Sequence, residues 1–134
     1  MKSLSYLAFG LLPIIAACSS VPVAKNAAEL NVGIEWTAQS GCSAVSPPIK
    51  LNNVPKETKF IDVYMIDLNF SAGRHGGGMV AYDGSGMIKE GALKSYNGPC
   101  PRDGQHSYQF TIDALNADKS MIVGQGKTTI KYPK

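Results

Sequence analysis

The sequence predicts a mostly β chain of antiparallel strands with few or no helices. Three observations carry that prediction. Residues 106–115 alternate between apolar Tyr108, Phe110, Ile112 and Ala114 and polar Gln109, Thr111 and Asp113, the period of a strand with one buried face. Residues 60–68 are rich in β-branched and aromatic side chains, interrupted only by Asp62 and Asp67. Gly, Pro and Asn punctuate the chain at short intervals, and no helical periodicity persists beyond two turns.

From the N-terminus, residues 1–17 read as an export signal, with Lys2 as its charged start and an apolar stretch from Leu4 to Ala17 that is short for a membrane span. Its end, Ile15-Ala16-Ala17-Cys18, resembles the bacterial lipobox, which predicts a lipid anchor on Cys18. Ser19 stands where an Asp would signal inner-membrane retention, so the expected location is the outer membrane, facing the periplasm. Residues 18–30 then read as the lipidated Cys and a tether without apolar periodicity, and residues 31–134 as one domain.

Within that domain, Asn31–Thr37 places Val32, Ile34 and Trp36 on one parity and reads as a half-buried strand. Phe60–Leu68, apolar on both parities, reads as a central strand. Gly77–Tyr82 is a further short strand, and Asp83-Gly84-Ser85-Gly86 a turn into Met87 and Ile88. After 106–115, a last strand is expected over Lys127–Tyr132.

Removing residues 1–17 from the 134 leaves 117, enough for a single core. The remaining charges are nearly balanced and evenly spread, with no basic cluster of the kind that binds nucleic acid. With Cys18 assigned to lipid, Cys42 and Cys100 remain as an even pair in an oxidising compartment, which predicts a disulfide. Such a bridge would stabilise the fold by about 4 kcal/mol through chain entropy. Two buried thiols that never meet are the alternative, because sequence does not give their separation.

The stretch Tyr96-Asn97-Gly98-Pro99-Cys100-Pro101 followed by His106-Ser107-Tyr108 joins a rigid Gly-Pro-x-Pro turn to a strand that opens with His-x-Tyr. With Ser46-Pro47-Pro48-Ile49, Asn53-Val54-Pro55, and Asp67-x-Asn69 followed by His75, it resembles the phosphatidylethanolamine-binding protein (PEBP) family, also called the Raf kinase inhibitor protein family, in order and rough spacing. That resemblance spans residues 36–132 and implies a PEBP-like antiparallel β-sandwich. It also implies a cavity for phosphate, acetate or a phosphoethanolamine head, lined by Asp67, Asn69, His75, Gly98, Pro99, Pro101, His106 and Tyr108.

Such a cavity has a plain chemical logic. A phosphate oxygen needs N–H or O–H donors, which His75, His106 and Tyr108 can supply while Asp67 orients a histidine. Pro99 and Pro101 would stiffen the loop and pre-organise donors such as the Gly98 N–H. The chain also departs from the family pattern. His75 is followed by Gly76-Gly77-Gly78 instead of Trp, a loss of apolar wall that predicts a flexible strand start. Arg102 replaces a Pro, Ser107 replaces an Arg, and the segment after Leu115 is too short for the covering helix of bacterial relatives.

Enzymatic readings find less support. His75-Gly76-Gly77-Gly78 imitates a lipase oxyanion motif, but no Gly-x-Ser-x-Gly accompanies it. Asp67, His75 and His106 lack the spacings that mark a metal site, so no metal or cofactor is expected. The expectation is a non-enzymatic, lipid-anchored protein that binds a small anion or phospholipid headgroup. The rival is an interaction protein that docks on and inhibits a protein partner such as a protease or kinase, its cavity vestigial.

Overall fold

A computed structural model describes residues 20–70 and 72–133, so the expected export signal over residues 1–17 and Cys18 lie outside the described residues. Nine strands follow in chain order: β1 Val23–Glu29, β2 Asn31–Ile34, β3 Ile49–Asn52, β4 Phe60–Asp67, β5 Arg74–Ala81, β6 Met87–Ile88, β7 Ser95–Tyr96, β8 His106–Leu115 and β9 Ile122–Tyr132. No helix occurs among the described residues.

Two sheets form. The larger has six strands in the order β1-β9-β8-β4-β5-β7, and the smaller has three, β2-β3-β6. Every pairing is antiparallel except that of β1 with β9. The core joins the two: Ile34, Ile49, Leu51 and Ile88 of the small sheet and Ile61, Val63, Met65, Tyr108, Phe110 and Ile112 of the large one are all buried in one cluster. Burial of these side chains supplies the main drive for folding, at about 1.5–3 kcal/mol for each large one.

The central strands obey the sequence pattern. Tyr108, Phe110, Ile112 and Ala114 of β8 are all fully buried. On β4 the buried row is Ile61, Val63, Met65 and Asp67, so the strand ends by carrying a carboxylate on the face that elsewhere makes the core. Register places Asp67 opposite Tyr108, with His106 two residues before it on the same face of β8.

The structure departs from the expected elements in five places, one of them β5, which begins at Arg74, three residues before the expected Gly77, and ends at Ala81. Residues 23–29 are not part of a free tether: β1 adds to the edge of the large sheet through β9, despite a sequence without apolar alternation. Main-chain hydrogen bonding to a ready partner edge suffices there. The strand after Leu115 begins at Ile122, five residues earlier than expected, because Asn116 accepts hydrogen bonds from the Ser120 and Met121 N–H groups and closes a tight turn. The second strand stops at Ile34, where Ser40 folds back to accept the Thr37 N–H. β3 and β7, four and two residues long, were too short to signal themselves.

Candidate functional site

β4 ends, β5 begins and β8 begins at one pole of the large sheet. There a cleft of about 600 Å³ opens, larger than depressions of about 410 and 460 Å³ elsewhere on the described surface. Asp67, His75, Gly98, Pro101, His106 and Tyr108 line it, so six of the eight residues expected from sequence converge. Asn69 and Pro99 do not.

At its floor His106 donates from Nδ1 to Asp67 Oδ2 at 2.6 Å, with the two side chains only 19% and 5% exposed. The other carboxylate oxygen accepts the Asn69 N–H at 2.8 Å. Burial disfavours the Asp67 charge, but the His106 and Asn69 hydrogen bonds and the charge on His106 outweigh it and hold the carboxyl below 3.8. With Nδ1 committed to Asp67, the ring's Nε2 remains to meet a ligand.

His75 reaches the same place by a different device. Tyr64 pairs with Gly77 and Ile66 with Arg74, so His75 and Gly76 together oppose the single Met65. This β-bulge moves His75 off the outer face that regular pairing would give it and sets it edge-on over the Tyr108 ring, 5.2 Å between centroids. Gly76 makes the bulge: its φ is +64°, and a Cβ there would run into the Ser95 carbonyl. The glycine tract is therefore a built corner, not the flexible start expected from sequence. His75 Nδ1 donates to the Asn97 carbonyl at 2.8 Å, again leaving Nε2 uncommitted among the described residues.

Tyr108 is fully buried, stacked near His106 and packed edge-on by Trp36 at 6.0 Å. Its hydroxyl lacks a hydrogen-bond partner of good geometry among the described residues, though it is near enough to Asp67 to feel its charge. Burial, then that charge, pushes the phenol up to about 12.

The proline turn is a wall, held from behind. Cys42 and Cys100 form the expected disulfide, Cα atoms 4.7 Å apart. The Cys42 N–H donates to Pro99 O at 2.9 Å and the Gly98 N–H to Ser43 O at 2.7 Å. The Gly98 amide is thus spent on the scaffold and not free for a ligand, a correction to its expected role. Its lack of a side chain is what matters, because a Cβ would collide with the Ser40 and Ser43 carbonyls. Pro99 is fully buried against this layer. Asn69 is likewise structural: its Oδ1 accepts the Ser107 N–H at 2.7 Å and extends the β4–β8 ladder past Asp67.

Sequence reasoning did not assign Phe70, Arg74 and Arg102 to the site, yet all three line the cleft. Phe70 and its neighbour Leu68 are 59% and 50% exposed. Only the oddity of apolar residues beside the Asp-x-Asn segment could have drawn attention to them. The glycines after His75 pair with β4 and β7 on either side, so they form sheet and not an oxyanion loop. Among the described residues no group of three His, Cys, Asp or Glu is arranged to hold a metal.

No protein-family model and no curated protein sequence matches the chain. Solved structures do. A homologue of phosphatidylethanolamine-binding protein from Chlamydia trachomatis is 21% identical with a TM-score of 0.57, the match covering 81% of this chain and 99% of that one. YbcL of E. coli, described as a member of the mammalian PEBP family, is 18% identical with a TM-score of 0.57, over 78% of this chain and 98% of its own. A strand-only double sheet, with Asp67, His75, His106 and Tyr108 gathered at one pole, has the fold of the bacterial phosphatidylethanolamine-binding proteins.

Proposed function

We propose that the chain is a non-enzymatic lipoprotein, anchored by lipid on Cys18 in the outer membrane and facing the periplasm, that binds a small anion or a phosphatidylethanolamine-like headgroup in this cleft. The observation that carries the reading is the pair of imidazoles each held at Nδ1, by Asp67 and by the Asn97 carbonyl, above a buried phenol close to Asp67 whose hydroxyl has no partner of good geometry among the described residues. With each Nδ1–H spent on the scaffold, each Nε2 donates to a phosphate oxygen in the imidazolium form, and the two rings are already oriented, so little ordering cost remains when the anion binds. Arg74 and Arg102 on the lining can also meet an anion, against the carboxylates of Asp67 and Asp103 on the same lining.

Calorimetric titration of the full chain with phosphate and with phosphoethanolamine tests it. Asp67→Ala and His106→Ala should each weaken binding by tenfold or more, because a charge-assisted hydrogen bond is worth about 1.5–3 kcal/mol. Unchanged binding in both variants places the ligand elsewhere.

One observation supports a second reading. Exposed Leu68 and Phe70 at the rim give an apolar foothold of the kind protein partners use, as an inhibitor docking on a protease or kinase would. A wild-type chain that binds neither small ligand favours that reading.

A further inference from the structure

We infer that the cleft takes its phosphate-bearing ligand from the aqueous side and not from the leaflet that holds the protein. The inference rests on the lipid anchor and the anion-binding cleft proposed above. It adds the orientation, which follows from topology.

β1 runs parallel to β9 and meets only its first residues, Val23 opposite Ile122 and Glu29 opposite Gln125, and the Ile122 N–H donates to Pro22 O at 2.9 Å. Ile122 in turn pairs with Leu115, the last residue of β8. The cleft is built at the other end of that strand, around His106 and Asp67. Chain entry and cleft are therefore separated by the whole of β8, ten residues, or about 30 Å at strand rise.

From Cys18 to Pro22 there are four residue steps, which span at most about 14 Å even when fully extended. Turning the molecule to seat the cleft head-first on its own membrane would require a connection about as long as β8. The first ordered strand forbids it: were residues 20–30 a free tether, the cleft could reach round, but β1 has bound most of that length to the far edge of the sheet.

The test uses the lipidated full chain in vesicles of phosphatidylcholine alone or mixed with phosphatidylethanolamine, titrated with soluble phosphoethanolamine. A same-leaflet headgroup that reached the cleft would compete at an effective concentration in the millimolar range. The expected result is an affinity equal within about twofold in the two vesicle types, and weakening of about tenfold or more in the mixed vesicles overturns the inference. A second variant carries a Gly/Ser insert of about 40 residues between Ser19 and Ser20, whose mean span of about 35 Å lets the domain turn over. Competition seen only with the insert supports the inference, as does competition in neither chain, which leaves the aqueous ligand as the sole one accepted. A native chain that does not stay with the vesicles overturns the orientation alone, whereas failure to bind phosphoethanolamine in any vesicle overturns the cleft reading with it.

Discussion

Asp62 and Asp67 stand five residues apart on β4, on opposite faces of one strand, and the fold treats them in opposite ways. Asp62 lies mid-strand on the outer face, directly across from Asp113 of β8. Burial and then the Asp113 charge raise its pKa above 3.8. Asp67 lies at the strand's end on the inner face, where burial also opposes its charge but two hydrogen bonds and an imidazole overcome it. Partial burial is common to both. What differs is the register: β8 presents a carboxylate to one acid and, at the cleft, a histidine to the other. In this chain the carboxylate at the cleft is the one whose surroundings stabilise the ion.

The comparison breaks most easily at the cleft end. Replacing both Cys42 and Cys100 by Ser should cost about 2–5 kcal/mol by urea denaturation and free the wall that carries Pro99 and Pro101. Binding of phosphoethanolamine should fall in the same variant, because the turn is tied to residues 40–43 by that bridge and two backbone hydrogen bonds. Full stability and full binding would show that the turn holds itself.

Asp67→Ala removes the acceptor of the His106 proton and of the Asn69 amide, and should cost about 1.5–3 kcal/mol in the same assay. Asp62→Asn should do the reverse. Removing one of two facing charges is expected to stabilise by about 0.2–1 kcal/mol at neutral pH, and destabilisation there would show that Asp113 and its Gln125 partner tolerate the charge.

The smallest effect is the sharpest. A raised folded pKa at Asp62 means the folded state takes up its proton first, so stability should rise as pH falls from neutral toward 3.8. A lowered folded pKa at Asp67 means the unfolded state binds more protons below that point, so its contribution, present above 3.8, should drain away as pH falls through the folded value. Denaturation midpoints across this range should show a shallow maximum. Asp62→Asn should flatten the neutral-side slope, and Asp67→Asn should reduce the acid-side slope, leaving the part contributed by Asp83 and Asp118, whose carboxyls are also lowered by their Ser85 and Ser120 hydrogen bonds.

What the sequence determined by itself is local and periodic. Alternation in 106–115 fixed which β8 residues enter the core, because side chains on a strand point to the two faces in turn whatever their partner. The ordered Asp67, His75, His106 and Tyr108 suggested a site through their resemblance to a family motif, whereas Cys42 and Cys100 predicted a bridge as the even pair left for an oxidising compartment. Tertiary structure alone decided the rest. Whether His75 faces the cleft depends on a bulge that the Gly76-Gly77-Gly78 tract permits but whose one-residue position is set by the pairing of β5 with β4. Gly98 and Asn69 were drawn into the scaffold by backbone groups distant in sequence, Ser43 and Ser107, whose arrival cannot be read from their own neighbourhoods. Residues 23–29 became a strand because β9 offered an unpaired edge, and that long-range hydrogen bonding sets how far the cleft stands from the chain's entry.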